Sequence, residues 1–174
     1  MVELTIIKYD ITKLEVDVIV NAANKSLMGG SGVDEAIHRV AGHQLLDECI
    51  RIRKDKYVNG LPTGQVAVTP AFNLKAKYIF HTVGPINGKD DIMLLRDCYV
   101  NCINLAKELR VKSIAFPAIS TGAHSIPIER SAQIVKKVIE ELKSNLKIIF
   151  VMYSDRDKAV YDKVLEGSAT NVKQ

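Results

Sequence analysis

With 174 residues, 47% apolar and 25% charged, the chain has the size and composition of one domain with one sizeable core. Its formal net charge is +4, from 24 Lys+Arg against 20 Asp+Glu, and no basic run exceeds two residues. That argues against a nucleic-acid groove, though a mild positive excess helps attract an anionic ligand. An aromatic fraction of 6% without Trp weakens a reading as a single-strand stacking platform.

The chain enters directly on a strand pattern, residues 4–8, with no basic-then-apolar leader before it. No apolar run approaches the roughly 18 residues that span a membrane, so a soluble, cytoplasmic protein is expected. Residues 17–20 read as a second strand, nearly all β-branched. Val33, Ala36, Ile37, Val40, Ala41 and Leu45 recur with a helical period, predicting one helix over 33–54. Residues 65–69 and 77–83 read as strands, with 70–75 as a hairpin loop between them. A helix over 91–109 puts Leu94, Leu95, Cys98, Cys102, Leu105 and Leu109 on one side. A strand at 113–116 is ended by Pro117, and an amphipathic helix covers 127–142. An apolar strand follows at 146–152. Asp155 is a suitable N-cap for a last helix ending near Gly167, and the small, polar tail 168–174 is expected to be disordered. The three cysteines, Cys49, Cys98 and Cys102, form no framework spacing and read as reduced, packed thiols.

Strand–helix alternation in the second half implies a parallel sheet covered by helices, whose ligands bind beyond the carboxyl ends of the strands. Two loops that follow strands stand out. The first runs Asn21-Ala22-Ala23-Asn24 to Gly29-Gly30-Ser31-Gly32-Val33-Asp34 and opens a helix. Three glycines in four positions let the backbone approach a ligand, and N–H groups can converge on an anion there. It lacks the third glycine of a dinucleotide fingerprint and the Gly-Lys-Ser/Thr of a P-loop. Asn24 can bond a sugar hydroxyl. Asp34 either complements the helix dipole, worth about 0.3–1 kcal/mol, or acts in catalysis. His38 shares its helix face. The second loop, Ala118-Ile119-Ser120-Thr121-Gly122-Ala123-His124-Ser125-Ile126-Pro127, joins a strand to a helix and suits a phosphate, but is no nucleophile elbow. His43 and His81 read as packed or solvated. No paired ligand spacing points to a metal, and no cofactor is expected.

Six blocks in order resemble the macro domain family over almost the whole chain. They are Tyr9-Asp10-Ile11-Thr12, Val20-Asn21-Ala22-Ala23-Asn24, Gly29 through His38, Thr63 through Thr69, Tyr78 through Pro85, and Ala115 through Gly122. The resemblance implies a three-layer α/β fold. In it a mixed, mostly parallel sheet lies between helices, one domain spans 1–167, and an ADP-ribose cleft lies at the crest. By position, Asp10 would accept from the adenine amino group, Ile11 would border the ring and Tyr153 would stack on it. Gly30, Ser31, Gly32 and Val33, with Ser120, Thr121, Gly122, Ala123 and His124, would wrap the diphosphate. Asn24, Asp34 and His38 look like the branch that removes mono-ADP-ribose from acidic side chains and deacetylates O-acetyl-ADP-ribose. Asn24 and Asp34 would position the ribose and a water, whose proton goes either to Asp34 or to a ligand phosphate. The resemblance thus implies a hydrolase whose partners are ADP-ribose and mono-ADP-ribosylated proteins; metal independence follows from the missing ligand spacing, and a monomer is expected. A non-catalytic reader of ADP-ribose and an ADP-ribose 1″-phosphate phosphatase are the alternatives. Three departures stand out. Ser31 replaces a glycine and would be strained if its φ were positive, His124 stands where a Phe or Tyr commonly covers the ribose, and Tyr9 precedes Asp10.

Overall fold

A computed structural model describes residues 2–166 and the backbone of 171–173. In chain order the strands are β1 Glu3–Lys8, β2 Val18–Ala23, β3 Val66–Pro70, β4 Tyr78–Val83, β5 Ser113–Pro117, β6 Lys147–Met152 and β7 Asn171–Lys173. The helices are α1 Val33–Ala41, α2 His43–Asp55, α3 Met93–Glu108, α4 Ile128–Glu141 and α5 Asp155–Leu165, with a 3-10 turn at Ile11–Lys13. The strands form one sheet in the order β3-β4-β2-β5-β6-β1-β7. Among the described residues only the β3–β4 pair is antiparallel, as the short 71–77 connection dictates.

Both faces of the sheet are buried, which is why its strands read as continuous apolar runs. Val18, Val20, Ile114, Phe116, Ile148 and Phe150 point to one face and pack under α3, α4 and α5. Their alternates, Ile19, Ala115, Ile149 and Val151, point to the other and pack under α1 and α2. The first layer contains a chain of aromatic rings. Tyr99 lies 5.1 Å from Phe116, Phe116 stacks on Phe150 at 5.6 Å, and Phe150 meets Tyr161 at 5.7 Å. The Tyr161 hydroxyl shares a 2.6 Å hydrogen bond with Ser131 Oγ, so neither polar end is stranded. All three cysteines are free and buried, and burial pushes the Cys49 thiol up to about 12 and Cys98 up to about 11.

The sequence expectations differ from the structure at several places. The helix expected over 33–54 is two helices, broken at Gly42, whose φ is +93°. The apolar period runs through the break because Ile37, Ala41 and Leu45 all pack on the same sheet face. A side chain at Gly42 would put its Cβ 3.0 Å from Asn73 Nδ2. The strand expected to stop at residue 20 continues to Ala23, pairing with β4 as far as Val83. Of the tail expected to be disordered, Asn171–Lys173 pairs in parallel with β1 and occupies its otherwise open edge, while 167–170 and 174 lie outside the described residues. No helix among the described residues is long and apolar enough to cross a membrane.

Gly42→Ala should destabilise the fold by about 1–2 kcal/mol, because a left-handed φ is forced on a residue with a Cβ. Denaturant unfolding measures it, and an unchanged midpoint would show that the helix break relaxes at no expense.

Candidate functional site

The two loops singled out by sequence follow neighbouring parallel strands, β2 and β5. The chain leaves β2 for α1 on one face and leaves β5 for α4 on the other. Such a divergence opens a crevice at the carboxyl ends of the strands. Along this crest, in the order β2, β5, β6, β1, lie Asn24, Ser120, Tyr153 and Asp10. At about 4.8 Å per strand, the span from the β2 end to the β1 end is about 14 Å.

At the β2 end a carboxylate is held inside the protein. Asp34, in the first turn of α1, is 4% exposed. Asn21 Nδ2 donates to its Oδ1 at 2.9 Å, and His38 Nε2 lies 3.4 Å from the same oxygen. Burial raises the Asp34 pKa, while the Asn21 hydrogen bond and then the His38 charge pull it back down. Asn21 Nδ2 also lies 3.1 Å from His81 Nδ1, and His81 Nε2 lies 2.9 Å from Thr69 Oγ1. An amide nitrogen can only donate, so His81 Nδ1 accepts and Nε2 carries the hydrogen toward Thr69. His81 is fully buried. Burial first, and the His38 charge second, push its pKa down to about 3, so the ring is neutral near pH 7.

Gly30 lies between this carboxylate and Asn24. A Cβ at Gly30 would stand 3.1 Å from Asp34 Oδ2 and 3.2 Å from Asn24 Nδ2, so the two side chains flank one point. Asn24 Nδ2 donates to Gly29 O at 2.8 Å, and its Oδ1 accepts from Ser26 Oγ at 2.6 Å and from Leu27 N at 3.1 Å. Gly32, at φ +64°, begins α1 without a side-chain cap, leaving the first-turn N–H groups directed outward from the helix. Ser31 is not among the residues with positive φ, so the serine carries none of the strain considered above.

The second loop is built as tightly. Ser120 adopts φ +66° and buries its Oγ against Gly84, where a Cβ would come within 2.1 Å of that oxygen. Ile126 N donates to Ser120 O and Ser125 N donates to Gly122 O, closing the loop on itself. Asn87 N donates to His124 O, and His124 Nδ1 lies 2.9 Å from Gly84 O, which fixes the ring hydrogen on that nitrogen. Tyr99 OH accepts from Ile119 N and donates to Pro117 O, holding the loop's root to α3.

A family model described as the macro domain matches residues 20–135. The chain belongs to the macro domain family. A curated relative named O-acetyl-ADP-ribose deacetylase, from Shigella flexneri, is 43% identical over 92% of this chain and 93% of its own length. A solved Oceanobacillus iheyensis macrodomain with ADP superposes with a TM-score of 0.90 at 41% identity, covering 92% of this chain and 88% of that one. A Trypanosoma brucei macrodomain in complex with ADP-ribose gives 0.83 at 36% identity, covering 92% and 68%. The α/β architecture expected from sequence, a mostly parallel sheet between helices, is that of these macrodomains.

At the β1 end of this macro domain, Asp10 caps the 3-10 turn. Its Oδ1 accepts from Thr12 Oγ1 at 2.6 Å and from Thr12 N at 3.0 Å, and these bonds hold its pKa below the ordinary value. Ile11 is buried in the α1/α2 layer, whereas the Tyr153 ring is 94% exposed above β6. The structure therefore brings Asn24, Asp34 and His38 together, and puts Asp10 and Tyr153 just beyond the ends of the neighbouring strands β1 and β6, at the far end of the crest. Among the described residues no group of three or more His, Cys, Asp or Glu could hold a metal ion. Sequence reasoning gave no role to Asn21, Thr69 and Gly84, and took His81 only as packed or solvated. One signal was available. Asn21 and His81 interrupt apolar strands, and such residues need polar partners when buried; here they face each other in register across β2 and β4.

His81 is neutral in the fold but binds a proton below about pH 6.5 when unfolded. Its contribution to stability is thus fully present above pH 6.5 and is lost as pH falls toward 3, with a slope of up to about 1.4 kcal/mol per pH unit. Urea unfolding between pH 4 and 7 should show this slope, flattened in His81→Gln; equal slopes in both proteins would assign the acid sensitivity to other groups.

Proposed function

We propose that the crest binds ADP-ribose and that its β2 end hydrolyses esters of the terminal ribose, both in O-acetyl-ADP-ribose and in mono-ADP-ribosyl glutamate or aspartate on proteins. The observation that carries this reading is the buried Asp34 carboxylate with the Asn24 amide beside the same point over Gly30. A pure binding module has no need of a buried, desolvated carboxylate at that end of its ligand. The names of the relatives support the same class of reaction.

The ligand's length fits the layout. Adenine lies at the β1/β6 end, its amino group donating to the Asp10 oxygen that Thr12 leaves free and its ring against Tyr153. The diphosphate sits in the middle, between the two loops. It accepts from backbone N–H groups of Gly30 to Val33 and Ser120 to His124 and meets the positive end of the α1 dipole. The terminal ribose then reaches β2, where the Asn24 amide bonds a hydroxyl and His38 steadies Asp34. Asp34 Oδ2 orients a water toward the ester carbonyl. The water oxygen bonds to the carbonyl carbon, the bond from that carbon to the ribose oxygen breaks, the acid leaves, and a proton ends on the ribose hydroxyl. The protein's main work is positioning, which can supply several kcal/mol. Side chains and backbone fill all of these roles in the proposed step, which calls on no metal.

Hydrolysis of O-acetyl-ADP-ribose by the purified chain tests this. Asn24→Ala should lower kcat at least tenfold, about 1.4 kcal/mol of barrier, and EDTA should change nothing. Asp10→Ala should instead weaken ADP-ribose binding in calorimetry while leaving kcat nearly unchanged. Tight ADP-ribose binding without turnover would make the protein a reader.

A further inference from the structure

The Asn24 side chain depends on a neighbour well removed in sequence. Arg53, in the last turn of α2, donates from Nη1 to Ser26 O at 2.7 Å, from Nε to Tyr57 O at 2.8 Å and from Nη2 to Val58 O at 3.3 Å. One planar guanidinium thus ties two loops together through three carbonyls, a geometry that a lysine ammonium cannot reproduce. The same junction is fixed twice more. Leu61 N donates to Lys25 O at 2.9 Å, and Gly60, at φ +94°, packs so closely that a Cβ would stand 2.9 Å from that carbonyl. The residue whose carbonyl Arg53 holds is the residue whose hydroxyl holds Asn24. Ser26 Oγ donates to Asn24 Oδ1, which turns Asn24 Nδ2 toward Gly29 O and the point beside Asp34 Oδ2.

We infer that Arg53, which bonds to no side chain of the site, is a positioning residue that sets the orientation of the Asn24 amide through Ser26. The inference rests on the proposed role of Asn24 in turnover. Arg53 holds the first loop only at Ser26, bonds to none of the residues Gly30 to Val33 or Ser120 to His124 proposed for the diphosphate, and makes no bond to Asp10 or Tyr153, so its removal acts through the Asn24 amide more than through ADP-ribose affinity. Arg51, two positions before Arg53, points outward to Glu48 and Asp55 instead.

Arg53→Lys and the milder-packing Arg53→Met, each in the full chain and each checked for a cooperative thermal transition, provide the test. For O-acetyl-ADP-ribose, kcat should fall at least fivefold in both, with KM and the ADP-ribose Kd within twofold of wild type and Arg51→Lys unchanged. In an Asn24→Ala background, Arg53→Lys should change kcat by less than twofold, because the group it positions is gone. The Asn24 side-chain amide signals, identified by their loss in Asn24→Ala, should exchange with solvent at least tenfold faster in Arg53→Lys. Unchanged amide exchange, or losses of kcat that multiply in the double variant, would overturn the inference. If the wild type hydrolyses nothing, the proposed reaction fails, and the amide exchange still decides what Arg53 does.

Discussion

The site depends on one hydrogen bond, from Asn21 Nδ2 to Asp34 Oδ1. A carboxylate that is 4% exposed is expensive to keep ionised, and an amide donor of fixed direction offsets part of that expense. The direction is fixed from behind, because the second hydrogen of the Asn21 amide faces His81, and His81 is anchored on Thr69. Three strands, β2, β4 and β3, thereby contribute to the placement of one acid, and Asp34 Oδ2 is left facing Gly30 and Asn24. The device works only while His81 stays neutral, which its complete burial ensures.

The sheet topology supplies the rest. Because α1 and α4 leave adjacent strands toward opposite faces, the crevice opens where the two glycine-containing loops meet. The strand order then sets out a linear site about 14 Å long. Part of the backbone strain lies there, while Phe72 and Arg110 carry positive φ elsewhere. Ser120 and Leu27 adopt positive φ without being glycine, and both sit in loops that flank the crevice. Such conformations persist only where the surroundings over-determine them. Here the surroundings are Gly84 against Ser120 Oγ, and the Arg53, Leu61 and Gly60 contacts that hold the Asn24 loop.

Much of this was legible in the sequence, for identifiable reasons. Apolar runs bounded by turn residues marked β1, β4, β5 and β6, and the 3.6-residue period marked α3 and α4, because these elements face buried layers. The break at Gly42 was not legible, since the apolar period passes through it unbroken. The glycine loops were visible as composition, and the joint action of Asn24 and Asp34 came only with the family resemblance, because the nine residues between them hide their meeting over Gly30 from spacing alone. Arg53 carried no signal at all: its partners are backbone carbonyls, and these leave no trace in residue type.

The most direct test of a hydrolase centred on Asp34 is release of ADP-ribose from a glutamate-linked mono-ADP-ribosylated protein, comparing wild type with Asp34→Ala. The account predicts release by the wild type and a rate at least tenfold lower in the variant. Equal rates, or no release by a wild type that binds ADP-ribose, would contradict it and leave Asp34 as a residue that serves the start of its helix.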